Sequence, residues 1–147
     1  MAETYDWTQT CTGSREDKER FHRVAKRLLR VLAREMGFEA GSFDIRSNMG
    51  GPAVSGEVTL HHNDVYIQVS SPGARTETGL MIRTCKNRQD YTGGNNHFAP
   101  LPWLDDAQRP KLRKLVEQVI EQKLGFNADI KNDPSYNPHY STPRFSK

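Results

Sequence analysis

The chain has 147 residues, 21 Lys and Arg against 18 Asp and Glu, 35% hydrophobic residues and two cysteines, with a mean hydropathy of -0.80. That length fits one domain able to hold a core without a disulfide or a metal, and the low apolar share implies that part of the chain lies outside that core. No apolar run reaches the roughly 18 residues of a membrane span, and Met1 to Asp6 lacks the basic and apolar regions of a signal peptide. The expectation is a cytoplasmic protein with no membrane contact. Cys11 and Cys85 occur without any CxxC spacing and read as free thiols.

Residues 1–13 are polar and without period, and predict a flexible arm. Ser14 followed by Asp17 is an N-cap with an acidic residue three positions on. Phe21, Val24, Ala25, Leu28, Leu32 and Met36 then recur at steps of three and four, and Gly37 supplies a left-handed stop, so the spacing predicts a helix over about 15–36. From Ser42 to Lys86 the period changes to two. Phe43 and Ile45, then Val58 and Leu60, then Val65, Ile67 and Val69, then Leu80 onward alternate with polar residues. His62-Asn63-Asp64 predicts a hairpin turn between the second and third runs. Short connections exclude parallel neighbours, so the four strands are expected to be antiparallel. Residues 87–104 read as one long loop. Asp105-Asp106, Pro110 and the stripe Leu112, Leu115, Val116, Val119, Ile120 and Leu124 predict a second helix closed by Gly125. Residues 126–147, rich in Pro and Asn, predict a tail that is disordered or docked through Tyr136, Tyr140 and Phe145. The expected fold is α+β, a two-layer sandwich of order α-β-β-β-β-α with both helices on one face of a four-stranded sheet, residues 14–125 forming the single domain.

Two groups of residues suggest chemistry. The first is the row Arg20, Arg23, Arg27, Arg30 and Arg34, spaced 3, 4, 3 and 4 along the first helix. Residues 14–36 hold eight basic and four acidic side chains, a net +4 in a chain whose total is +3. Such a row can follow a phosphate backbone, or it can be a solvated face in which Glu16 and Glu19 offset Arg20 and Arg23. The second is the connection 83–98. Its Arg83, Lys86 and Arg88 suit phosphate or carboxylate, and Tyr91 or Phe98 suits stacking on a base or ring. Gly93 and Gly94 can turn backbone amides to a ligand, and Asp90, Asn95 and His97 add polar groups. The stretch matches neither GxxxxGK[ST] nor GxGxxG, and its alternative is a surface connection whose polar residues satisfy local turns.

Other chemistry has less to stand on. His61 and His62 alternate to opposite faces of a strand, which opposes shared metal ligation. Cys85 within a strand reads as a small buried hydrophobe rather than a nucleophile, and no carboxylate pair for acid–base catalysis appears in the strands or the long loop. Trp103 and Leu104 read as a staple for the second helix, and Trp7 as a residue that docks on its own domain or anchors a partner.

In size, absence of catalytic signatures and polar termini the chain is similar to small accessory proteins of phages and mobile elements, a likeness of style that covers no specific residue. The expectation is a non-enzymatic module, without cofactor or metal, that binds nucleic acid or a phosphorylated nucleotide-like molecule through the 83–98 loop and the basic helix. The alternative is an accessory protein that inhibits a host defence protein, or sequesters its nucleotide signal, by direct binding. Exposed edge strands would permit a homodimer.

Overall fold

The computed structural model describes residues 4–7, 14–48, 56–70, 78–90 and 93–128. The first helix, α1, spans Arg15–Glu35. Ser14 Oγ accepts the Asp17 amide at 3.2 Å, and Gly37 takes φ 78° beyond the last turn, the left-handed conformation in which glycine carries no steric penalty. Val24, Leu28 and Leu32, at steps of four, are buried together with Phe21, Ala25 and Leu29.

Strands β1 (Phe43–Asn48), β2 (Glu57–His62), β3 (Val65–Ser70) and β4 (Leu80–Thr84) fall on the alternating segments. A fifth strand, β5 (His97–Ala99), follows them, and the sheet is an antiparallel meander in the order β1-β2-β3-β4-β5. The four-stranded expectation is therefore corrected to five. Three residues are too few to show a period, and β5 exists through its pairing with β4, Leu80 to Ala99, Met81 to Phe98 and Ile82 to His97. A 3-10 turn, Leu101–Leu104, then leads toward the second helix, α2, at Arg109–Ala128. Gly125 does not close this helix, contrary to expectation. A glycine at negative φ is tolerated within a helix at a cost of about 1 kcal/mol.

Both helices pack on one face of the sheet. Val58 and Leu60, Val65, Ile67 and Val69, and Leu80 and Ile82 meet Phe21, Val24, Leu28 and Leu32 of α1 and Leu112, Val116 and Val119 of α2 in one core. Leu104 is buried in that core and Trp103 packs at its margin. The opposite sheet face carries Asp44 and Arg46 from β1, Thr59 and His61 from β2, Tyr66 and Gln68 from β3, Met81 and Arg83 from β4, and Phe98 from β5.

The described part of the N-terminal arm, residues 4–7, docks on the domain. Tyr5 and Trp7 are buried, with ring centroids 5.7 and 6.1 Å from Phe21. Trp7 Nε1 donates to Asp105 Oδ1 at 2.9 Å and the Tyr5 hydroxyl to Asp17 Oδ1 at 3.1 Å. Burial of the two aromatic rings offsets the chain entropy lost on ordering the short polar segment, a contribution that period analysis of the segment does not register.

One ionic cluster joins the helices. Arg109, 6% exposed, donates from Nε and Nη2 to the two Glu35 carboxylate oxygens at 2.8 Å each, and from Nη1 to Leu104 O at 3.0 Å and Asp106 Oδ1 at 2.8 Å. Arg113 adds a bond to Glu35 Oε1 at 2.7 Å. The end of α1 is thereby tied to the start of α2. Among the described residues no helix is long and apolar enough to cross a membrane. Cys11, Tyr91 and the tail residues Tyr136, Tyr140 and Phe145 lie outside the described residues.

Candidate functional site

The arginine row of α1 is divided by its surroundings. Arg20 Nη2 donates to Thr4 O at 2.7 Å and its guanidinium lies 5.5 Å from the Tyr5 ring centroid, so it braces the docked arm. Arg27 lines a concavity with Thr4, Tyr5, Leu28, Asp105, Asp106 and Ala107, where two carboxylates oppose an anionic ligand. On the other flank Arg23, Lys26 and Arg30 are grouped with one carboxylate, Glu19, against three cations.

That flank forms a groove of about 360 Å3 between α1 and β1, lined by Glu19, His22, Arg23, Lys26, Arg30 and Ser47. The helix places Arg23, Lys26 and Arg30 at steps of three and four, so all three reach the same side. His22 is buried, and its Nδ1 shares a hydrogen bond with Ser47 Oγ at 2.6 Å, which joins the helix to the edge strand and forms the groove floor. Glu19 is the single carboxylate of the lining, and it lies 3.7 Å from Arg15. Among the described residues Lys26, Arg30 and Arg34 have no carboxylate partner. Three cations around a concave floor focus positive potential more strongly than the same charges on a convex face. Lys26 carries a signal that a search for arginines alone misses, since it sits three residues after Arg23. Ser47 has none, because only the packing of β1 beside α1 brings it there.

Among the described residues, the connection 83–98 is largely engaged with the protein itself. Cys85 N donates to Asp64 O at 3.3 Å, and Lys123 of α2 donates to Asn63 O, Asp64 Oδ1 and Lys86 O at 2.9, 3.1 and 3.3 Å. Asn87 Oδ1 accepts the amides of Gln89 and Asp90, each at 2.9 Å, closing a turn. Arg88 then donates to Gly41 O and its Nε lies 3.9 Å from Asp44 Oδ2. The segment thus crosses the end of the sheet from β4 to the start of β1, as a strap. Gly93 passes so close to β4 that a Cβ there would stand 2.0 Å from Thr84 O, and the Gly94 amide donates to Thr84 Oγ1 at 3.1 Å. The glycines serve this close approach. Lys86 is exposed, Asn95 is half-buried with an interaction of its own, and His97 stands in β5. Arg83 lies on the opposite sheet face, its guanidinium 4.9 Å from the Tyr66 ring centroid.

The remaining titratable groups are quiet. Burial lowers the pKa of His61, His62 and His97, which keeps each imidazole neutral near pH 7. His62 stacks on Phe38 at 4.0 Å, whereas His61 stands on the other face at 5.1 Å from Tyr66. Burial pushes the Cys85 thiol up to about 11, and its Sγ donates to His62 O at 3.1 Å. Among the described residues no group of three His, Cys, Asp or Glu side chains is placed to hold a metal ion. Comparison with protein-family models, curated proteins and solved structures finds no match to the chain.

Proposed function

We propose that the protein is a non-enzymatic binding module for a polyanion, either a nucleic-acid backbone or a phosphorylated nucleotide-like molecule, and that the groove between α1 and β1 is its principal contact. The observation that carries this reading is the convergence of Arg23, Lys26 and Arg30 on one concave surface floored by Ser47 and His22. Guanidinium groups offer forked donors to phosphate oxygens, and the ammonium adds a mobile point charge. Arg34 extends the row along the same helix. The strap supports the reading less directly, since Arg88 is occupied in holding it to Gly41 and Asp44. Lys86 is the cation of that segment left at the surface.

The test is fluorescence anisotropy of labelled oligonucleotides and of a labelled nucleoside polyphosphate at several salt concentrations. Binding should weaken steeply with salt. Lys26→Ala with Arg30→Ala should weaken it further, and for a single strand should reduce the magnitude of the salt slope by about 1.4, at about 0.7 for each phosphate neutralised. Neither residue is part of the core, so thermal stability should stay close to that of the parent. Equal affinity in parent and double variant would refute the assignment of the groove.

A further inference from the structure

The face of the sheet turned away from the helices carries a row that crosses all five strands. Arg46 pairs with Thr59, Thr59 with Gln68, Gln68 with Met81, and Met81 with Phe98. At about 4.8 Å between strands the row is about 19 Å long. Its two ends are open. The Arg46 side chain is 51% exposed, and Phe98, 54% exposed, is the large hydrophobic side chain left uncovered among the described residues. Between them Gln68 is held in place, accepting from the Tyr66 hydroxyl at 2.9 Å and donating to Ser70 Oγ at 3.1 Å. Arg83, two residues from Met81 on the same face of β4, lies over the Tyr66 ring. Thr59, His61 and Tyr66 of this face are buried, at 7, 4 and 5% exposure, so the face offers the exposed Phe98 ring at one end, the Arg46 guanidinium at the other, and the half-buried Gln68, Met81 and Arg83 between them.

We infer that this row is a platform for the bases of a single-stranded nucleic acid whose phosphates engage the groove on α1, an inference that rests on the polyanion reading above. The two sites meet at the edge strand β1. Ser47 faces α1 and floors the groove, while its neighbour Arg46 stands on the platform side. A polymer crossing that edge passes from the groove to the platform within one residue. The occupant must then be flexible, anionic along its backbone and supplied with free planar rings, as a single strand is. A duplex keeps its bases stacked on one another and offers no face to Phe98. A second copy of the chain is a poorer fit, since Met81 and Phe98 are the apolar side chains of the row and a stable interface buries about 800 Å2 on each partner around an apolar centre. Asp44 on the same face has Arg46 and Arg88 each 3.9 Å away, and Glu57, two residues from Thr59, is the second carboxylate beside the row.

The experiment uses the full-length protein with a fluorescein-labelled deoxythymidine oligomer, the same strand in duplex form, and inorganic polyphosphate as competitor. The single strand should bind more tightly than the duplex. Phe98→Ala should weaken single-strand binding by about tenfold, leave the salt slope unchanged, and leave duplex binding and polyphosphate competition as in the parent. Phe98→Trp should restore the single-strand affinity. Lys26→Ala with Arg30→Ala should instead weaken all three, which separates the groove from the platform. Phe98→Ala with unchanged single-strand affinity, or a duplex bound as tightly as the strand, would overturn the platform and leave the polyanion reading standing. A solution mass that falls on Phe98→Ala would overturn it too, in favour of self-association. Binding of none of the three probes would remove both readings together.

Discussion

Glu35 gives the most direct check on the tie between α1 and α2. Its carboxyl is lowered from 4.5 to about 2, chiefly by the hydrogen bond from Arg109, against the opposing effect of burial and with Arg113 contributing further. In full, that depression corresponds to about 3.4 kcal/mol. The side chain is 27% exposed, and solvent screening of such a pair reduces the expected contribution to about 1–2 kcal/mol. Because the folded pKa is the depressed one, the unfolded chain takes up the proton first as acid is added. The contribution is complete well above pH 4.5 and is lost as the pH falls through about 2. Glu35→Gln keeps the shape and removes the titration. Urea unfolding of parent and variant across pH 7 to 2 should show the variant less stable by about 1–2 kcal/mol at pH 7, with the gap closing between pH 5 and 2. A gap that stays constant over that range, or none at pH 7, would refute the account.

Further outcomes follow from other contacts. Trp7→Ala should cost about 3 kcal/mol, within the range for deleting a buried aromatic, and lower Tm by several degrees in calorimetry; an unchanged Tm would show that the arm does not dock. Gly93→Ala should destabilise the fold by about 1–3 kcal/mol in denaturant titration, since its Cβ would stand 2.0 Å from a strand carbonyl that cannot yield as a side chain can. Cys85, in a Cys11→Ser background, should react slowly with a maleimide at pH 8 until the protein is denatured, because a thiol at about 11 is almost wholly protonated there. Labelling at the rate of a free cysteine would contradict its burial.

The local elements could be read along the chain because their causes are local. Ser14, Gly37 and the apolar steps of three and four mark α1, and the alternation of Val58, Leu60, Val65, Ile67 and Val69 marks a hairpin whose register the buried face then fixes. The arginine row was legible for the same reason, as was the separation of His61 from His62. What lay beyond reach depended on residues distant in the chain. The strand His97–Ala99 is too short to announce itself and exists through pairing with β4. Trp7 is a polar-arm residue until Asp105, 98 positions away, accepts its indole N–H. Gly93 and Gly94, read from composition as ligand-facing amides, are set against Thr84 by the course of the chain. The groove shows both levels. Helical spacing puts Arg23, Lys26 and Arg30 on one side of α1, but only the tertiary structure supplies Ser47 as their floor and turns Arg20 and Arg27 to other partners. Tertiary packing alone also leaves Phe98 exposed on the far face of the sheet, because which face the helices cover is decided by the whole core and not by any one strand.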